Sequence, residues 1–373
     1  MRILQVANVR WFNATAWYAL TLARLLRDAG HHCPVLVLPG TETHQKALEW
    51  GLDAVPMDLN TVNPLRLPGL YARLRGLVRR GRFQVVDCHR GEAFVLFGLL
   101  KNRHGYSLIR TRGDQRPPKA NLPNAWLHRR AADAVVATNS RTMAQLRQAF
   151  GLGPDRLRMI PGGVDTDAFT FDPDGRRRVR AEFGYDDSQV VFGLLGRFDE
   201  VKGQEQCIRA VARLARGGLP ARLLLIGFET ATSEAEVRSW IARENAPDDA
   251  LNVVRITGLR PDVAACVSAC DVGVVPSLWS ETIARAALEM MACGLPVVGS
   301  DVGVMPDLVS AEALAAPGDV DALETLLARC ATDSHWLSAR LAEQQAAMPS
   351  LTLKSFLEKT ILLYREMLGE PGP

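Results

Sequence analysis

The sequence predicts an α/β protein built from two doubly wound domains with parallel sheets. The chain has 373 residues, and at about 150 residues per domain that length asks for two ordinary domains rather than one small fold. Short β-branched runs alternate with amphipathic helical patterns along the whole chain, the order that builds parallel sheets covered by helices. Composition agrees: 47% hydrophobic and 23% charged residues, with a mean hydropathy of -0.01, suit a chain that buries ordinary cores. Disordered and fibrous classes are excluded.

In the first half, strands are expected at residues 2–7, 34–38, 85–88, 107–110, 134–138 and 158–160. Between the first two lies a helix over 16–29, with Ala19, Leu22, Ala23 and Leu26 on one face and Gly30 just past its end. The second half repeats the scheme with strands at 190–195, 222–226, 253–257, 272–275 and 297–299. Pro161-Gly-Gly-Val-Asp165 and the polar connector 171–176 mark a boundary, so the expected domains are 1–165 and 166–351. A helical stretch over 353–368 closes the chain, and residues 352–373 are expected to return to the first domain.

No apolar run approaches the roughly 20 residues needed to cross a bilayer. The opening Met1-Arg-Ile-Leu-Gln-Val-Ala7 reads as a buried strand rather than a signal peptide, which implies a cytoplasmic protein. Seven scattered cysteines (33, 88, 207, 266, 270, 293, 330) read as reduced, buried thiols, and no set of metal ligands forms around Cys266 and Cys270.

Charge is unevenly divided. Residues 1–165 hold 24 Lys and Arg against 11 Asp and Glu, a net of +13, and the remainder holds 20 against 30, a net of -10. A basic half implies an anionic partner. Arg66 to Arg82 is a basic stretch with Leu67, Leu70, Leu74, Leu77 and Val78 on one side; it suits either a helix lying on anionic lipid or a core-facing helix with a solvated back.

Ligands of doubly wound sheets bind at the carboxyl ends of strands, which directs attention to strand-to-helix loops. After strand 190–195 comes Gly196-Arg-Phe-Asp-Glu-Val-Lys-Gly203, where two glycines permit a tight turn and Arg197 and Lys202 set two cations beside a helix N-terminus, an arrangement suited to a diphosphate. After strand 272–275 comes Pro276-Ser-Leu-Trp-Ser-Glu281-Thr-Ile-Ala-Arg-Ala-Ala-Leu-Glu289, and a helix is expected to begin at Ser280 or Glu281. On such a helix Glu281 and Glu289 lie within about 80° of each other and about 12 Å apart, spaced to hold two parts of an extended polyol ligand.

Gly-Arg-x4-Lys-Gly, followed by Glu-x7-Glu and Met291-Ala-Cys-Gly-Leu-Pro-Val-Val298, resembles the retaining glycosyltransferases of family 4. Further matches run along almost the whole chain: Gly30-His31, Cys88-His89, Arg130-Ala-Ala-Asp133, Ile160-Pro-Gly-Gly-Val-Asp165, Leu224-Leu-Ile-Gly227, Thr257-Gly-Leu-Arg260 and Ala269-Cys-Asp271. The resemblance implies the GT-B fold, two Rossmann-like domains facing a central cleft, and hexosyl transfer from a nucleotide-sugar. By that resemblance Gly196, Arg197, Lys202 and Gly227 bind the donor, and Arg197 and Lys202 neutralise its diphosphate and stabilise it as leaving group in place of a metal. Glu281 contacts the donor sugar and Glu289 the ribose, and no cofactor is required. Asp165-Thr-Asp167 and Asp319-Val-Asp321 look like metal-binding pairs but read as a turn and a helix cap.

The sequence departs from the family pattern at several places. Asn13-Ala14-Thr15 stands where a Gly-Gly pair approaches the donor phosphate, and Thr282-Ile283-Ala284 replaces Gly-Phe-Gly, with backbone amides still able to receive phosphate. The usual acceptor-side histidine is missing; Asp114 or His89 is the candidate base for the acceptor hydroxyl. Arg110, Arg112, Arg116 and Lys119 concentrate positive charge where an acceptor would enter. The expected activity is therefore sugar transfer from a nucleotide-sugar, with a UDP-sugar favoured, to an anionic or lipid-linked glycan in bacterial lipopolysaccharide or envelope polysaccharide synthesis, with peripheral contact at the inner membrane face. A nucleotide-sugar epimerase or hydrolase on the same fold is the alternative. A nucleic-acid-binding protein using the basic half is a second alternative, but no basic and aromatic interleaving accompanies that charge. The Gly-x-Gly-x-x-Gly of a dinucleotide dehydrogenase is missing as well.

Overall fold

In a computed structural model, which describes residues 1–61, 63, 65–91, 94–113, 116–244 and 253–370, the chain divides into two compact units. The first comprises Met1–Gly162 with Leu353–Pro373, and the second Gly163–Thr352. Among the described residues no helix is long and apolar enough to cross a membrane.

The first unit holds a seven-stranded parallel sheet made of β1 (Ile3–Ala7), β2 (Val35–Val37), β3 (Ala54–Pro56), β4 (Val85–Cys88), β5 (Ser107–Arg112), β6 (Ala134–Ala137) and β7 (Leu157–Met159). Their order is β3-β2-β1-β4-β5-β6-β7, so the direction of winding reverses between β1 and β4. The second unit has six parallel strands, β8 (Val190–Leu195), β9 (Ala221–Ile226), β10 (Val254–Ile256), β11 (Val272–Val275), β12 (Val297–Ser300) and β13 (Leu314–Ala315). Their order β10-β9-β8-β11-β12-β13 reverses between β8 and β11. Both units are doubly wound, as the alternating pattern predicts. Strands β3 and β13 escape a reading of hydrophobic runs because they are edge strands of three and two residues.

The helix Ala14–Asp28 starts two residues before its expected beginning because Asn13 caps it, its Oδ1 accepting from Ala16 N at 3.1 Å. The basic stretch forms the helix Leu67–Gly81, and Leu70, Leu74 and Val78 are buried in the core of the first unit. Of the two readings left open for this stretch, the core-facing one holds: the apolar stripe is consumed by packing, while Arg73, Arg75, Arg79 and Arg80 stay exposed. The helix Leu353–Leu368 packs on the first unit through a buried polar knot. Tyr364 Oη donates to Asp87 Oδ2 at 2.7 Å and accepts from Gln5 Nε2 at 3.1 Å, Thr111 Oγ1 donates to Asp87 Oδ1 at 2.8 Å, and Ser107 Oγ donates to the Met367 carbonyl at 3.0 Å. All seven cysteines are free and buried, so they pack as small apolar residues.

Candidate active site

In doubly wound sheets ligands settle at the carboxyl ends of the strands where the winding reverses. In the second unit that place is formed by the loops after β8 and β11, which are adjacent strands though far apart in sequence. The loops are interlocked by backbone. Leu278 N donates to the Val201 carbonyl at 2.9 Å, while Gly196 N, where the first loop begins, donates to the Ile226 carbonyl at the end of β9 at 3.0 Å. Gly203 has φ +69°, and a Cβ there would stand 2.1 Å from the Pro276 carbonyl oxygen; at Gly227 it would stand 1.9 Å from that of Gly196. Only glycine fits either position, which gives both glycines a physical reason that a bare motif lacks.

On this scaffold Arg197 is half-exposed, 2.9 Å from Asp199, and Lys202 pairs with Glu281. Asp199 Oδ1 accepts from Val201 N at 3.2 Å, capping the turn Glu200–Lys202 that carries the lysine. Gln204, buried, donates from Nε2 to the Arg197 carbonyl at 2.8 Å and so ties the two ends of the cation-bearing loop together. Sequence reasoning passed over Gln204, and also Ser277, whose Oγ donates to Glu281 Oε1 at 2.6 Å. Nothing in a lone Gln or Ser signals such a role.

The expected helix start at Ser280 or Glu281 is corrected. The helix is Arg285–Ala292, and Ala284 before it takes the left-handed conformation, φ +50°. The Glu281 carboxylate is held by Lys202 and Ser277 and its carbonyl accepts from Val304 N at 2.8 Å, so the segment is pinned away from a helical path. Glu281 and Glu289 therefore do not share a helix face. Glu281 is nonetheless at the switch point, 6% exposed. Ile283 and Ala284 are buried and Thr282 half-buried, so this stretch offers a ligand little side chain. Glu289 lies on the helix, 3.0 Å from Arg285; burial raises its carboxyl pKa, and the Arg285 charge opposes that rise.

In the first unit the reversal lies between β1 and β4. Asn13 and Ala14 follow β1 here, but the Asn13 side chain is spent as the helix cap. His89 follows β4 and is 2% exposed. Its Nε2 lies 2.6 Å from Gln5 Oε1. Because Gln5 Nε2 donates to Tyr364, Gln5 presents an acceptor to His89, and the proton sits on Nε2. Burial lowers the His89 pKa, Asp87 raising it and Arg110 adding to the fall. The ring is thus set in the polar knot with Nε2 committed, while Nδ1 takes no hydrogen bond among the described residues. Asp114 lies outside the described residues.

The basic loop is corrected in the same way. Strand β5 runs on to Arg112, two residues further than expected, and Arg110 is buried within it, donating to the Cys88 carbonyl at 2.9 Å and to that of Thr111. Arg110 is spent on the sheet end. Arg112 is half-buried and reaches the Arg116 carbonyl, while Arg116 and Lys119 are exposed. The two Asp-x-Asp pairs are local caps: Asp165 Oδ1 accepts from Asp167 N at 3.1 Å, and Asp319 Oδ1 from Ala322 N at 2.9 Å.

Two parallel doubly wound units, one with a glycine-framed pair of cations at its switch point, define an α/β protein of the Rossmann-like class. Residues 15–168 match the family model described as Glycosyltransferase Family 4, and residues 189–333 the one described as Glycosyl transferases group 1. The two matches, one on each unit, support a glycosyltransferase enzyme. It is 27% identical over 314 residues to a D-inositol 3-phosphate glycosyltransferase of Pseudarthrobacter chlorophenolicus, covering 77% of this chain and 73% of that one. It spans about half the length of other such relatives, including 53% of the one from Rhodococcus erythropolis. Among solved structures it resembles HepE of Anabaena in complex with UDP, with a TM-score of 0.82 at 20% identity over 98% of this chain and 100% of that chain. It also resembles the lipopolysaccharide outer core galactosyltransferase WaaB, with a TM-score of 0.72 at 14% identity over 97% of this chain and 98% of that chain. These likenesses establish the GT-B fold.

Proposed function

We propose that the chain transfers a sugar from a UDP-sugar to a hydroxyl of an anionic, lipid-linked or envelope glycan, with retention of configuration and without a metal. One observation carries this reading: Arg197 and Lys202 stand on a single glycine-framed loop at the switch point, with the carboxylate of Glu281 beside Lys202. In the reaction the bond from the anomeric carbon to the β-phosphate oxygen breaks, one to the acceptor oxygen forms, and the proton of that hydroxyl passes to the departing β-phosphate oxygen. Negative charge grows on the departing diphosphate, where two fixed cations lower the barrier. Glu281 accepts from a donor-sugar hydroxyl and Glu289 from the ribose hydroxyls. A structural relative crystallised with UDP supports the choice of nucleotide. Relatives named for an inositol phosphate support an acceptor that carries both hydroxyls and anionic charge, a chemistry that Arg112, Arg116 and Lys119 would attract.

The test is a thermal-shift panel of UDP-, GDP- and ADP-sugars on the full chain. At a hundred times its dissociation constant the true donor adds about 2.7 kcal/mol of stability. A shift with a UDP-sugar is expected, and no shift with any of the three overturns the reading.

A further inference from the structure

We propose that Ser277 is a positioning residue that decides which oxygen of Glu281 meets the donor sugar; the proposal rests on the reading of Glu281 given above. Ser277 lies two residues beyond the end of β11, is 1% exposed, and donates from Oγ to Glu281 Oε1 at 2.6 Å. The ammonium of Lys202 is on the same oxygen. Oε2 takes no hydrogen bond among the described residues.

A carboxylate has acceptor sites on both oxygens, and its terminal torsion is soft and roughly two-fold, so by itself it offers either oxygen. Two donors on Oε1, one of them charged, remove that freedom. The backbone on either side is held too, Leu278 N by the Val201 carbonyl and the Glu281 carbonyl by Val304 N. Oε2 is thereby the oxygen left to accept from a sugar hydroxyl, in one orientation. Remove the serine hydroxyl and the carboxylate turns about its lysine contact, so the sugar meets a group no longer aimed at it. The diphosphate, held by Arg197 and Lys202, does not sense the change.

That asymmetry supplies the test. Ser277→Ala and the nearly isosteric Ser277→Cys are compared with the wild-type chain for kcat/KM with the UDP-sugar and for the dissociation constant of UDP alone. The loss of one hydrogen bond to a charged group corresponds to about a tenfold fall in kcat/KM. UDP affinity is expected to stay at the wild-type value, and Ser277→Thr, which keeps the hydroxyl, is expected to recover turnover. Unchanged donor kinetics in both Ser277→Ala and Ser277→Cys overturns the proposal. So does a parallel weakening of UDP and UDP-sugar, because that pattern belongs to a merely structural serine. Glu281→Gln in the same assays separates the two readings. If it leaves the gain in affinity from UDP to UDP-sugar intact, the assignment of Glu281 fails; if it abolishes that gain while Ser277→Ala does not, only Ser277 is reassigned.

Discussion

Arg285 Nη2 lies 3.0 Å from Glu289 Oε1, one turn along the helix Arg285–Ala292. The pair opposes, without cancelling, the effect of burial on the glutamate, whose pKa is raised. A raised carboxyl pKa means that at neutral pH the fold carries the cost of ionising a shielded group, a cost that grows as pH rises through that value. Glu289→Gln is therefore expected to hold or raise the melting temperature at neutral pH, and the advantage should shrink on acidification. The same variant removes the acceptor proposed for the ribose, so UDP affinity is expected to fall by about tenfold. Melting curves with and without UDP at two pH values read both effects.

Ala284 holds a φ of +50° at the start of the same helix and is 2% exposed. A left-handed alanine costs about 1 to 2 kcal/mol, part of which glycine returns through its freedom in the unfolded chain. Ala284→Gly is expected to stabilise the second unit by about 0.5 to 1 kcal/mol in urea unfolding. No gain would mean that the surrounding loop, not the alanine, carries the strain.

His128 is stacked on Phe150 with ring centroids 4.2 Å apart, and its Nδ1 lies 2.8 Å from the Asn124 carbonyl. Burial lowers its pKa to about 4. Between pH about 4 and the ordinary 6.5 the unfolded chain binds a proton that the fold does not, so stability is lost as pH falls through this window. Burial of His89 adds to the same slope. His128→Gln is expected to flatten the dependence of unfolding free energy on pH by at most about 1.4 kcal/mol per pH unit. Denaturant titrations at pH 4.5, 5.5 and 6.5 compare the slopes.

On the helix Leu67–Gly81, Leu70, Leu74 and Val78 are buried while Arg73, Arg75, Arg79 and Arg80 face solvent. Any contact of this helix with lipid is then electrostatic, worth about 1 kcal/mol per basic residue near an anionic surface and screened by salt. Sedimentation with phosphatidylglycerol vesicles is expected to show binding at low ionic strength that is lost at high salt and in Arg73→Glu/Arg80→Glu. Binding that survives salt would demand an inserted apolar surface instead.

Much of this molecule was legible in the sequence. Strands β4, β8 and β11 stand at their expected limits because each is a short run buried on both faces, and periodicity with flanking turns identifies such a run well. The cation-bearing loop was legible too, since glycines at 196 and 203 bracket Arg197 and Lys202. The start of the Arg285 helix was not: Ser280 and Glu281 look like an N-terminus, but the Glu281 side chain is claimed by Lys202, 79 residues away. Arg110 misled for a related reason, because a polar residue at a strand end looks exposed until neighbouring strands supply partners for it.

Local sequence determined the two doubly wound units and the residue types of the cation-bearing loop, since hydrophobic period, turn glycines and charge are properties of neighbours along the chain. Tertiary structure alone decided which polar groups are spent and which are offered. Strand order brings β8 beside β11 and β1 beside β4. A buried polar group must be paired to be tolerated, so the partners supplied across those strands determine that Glu281 keeps one oxygen unclaimed, that His89 is enclosed, and that Arg110 serves the sheet.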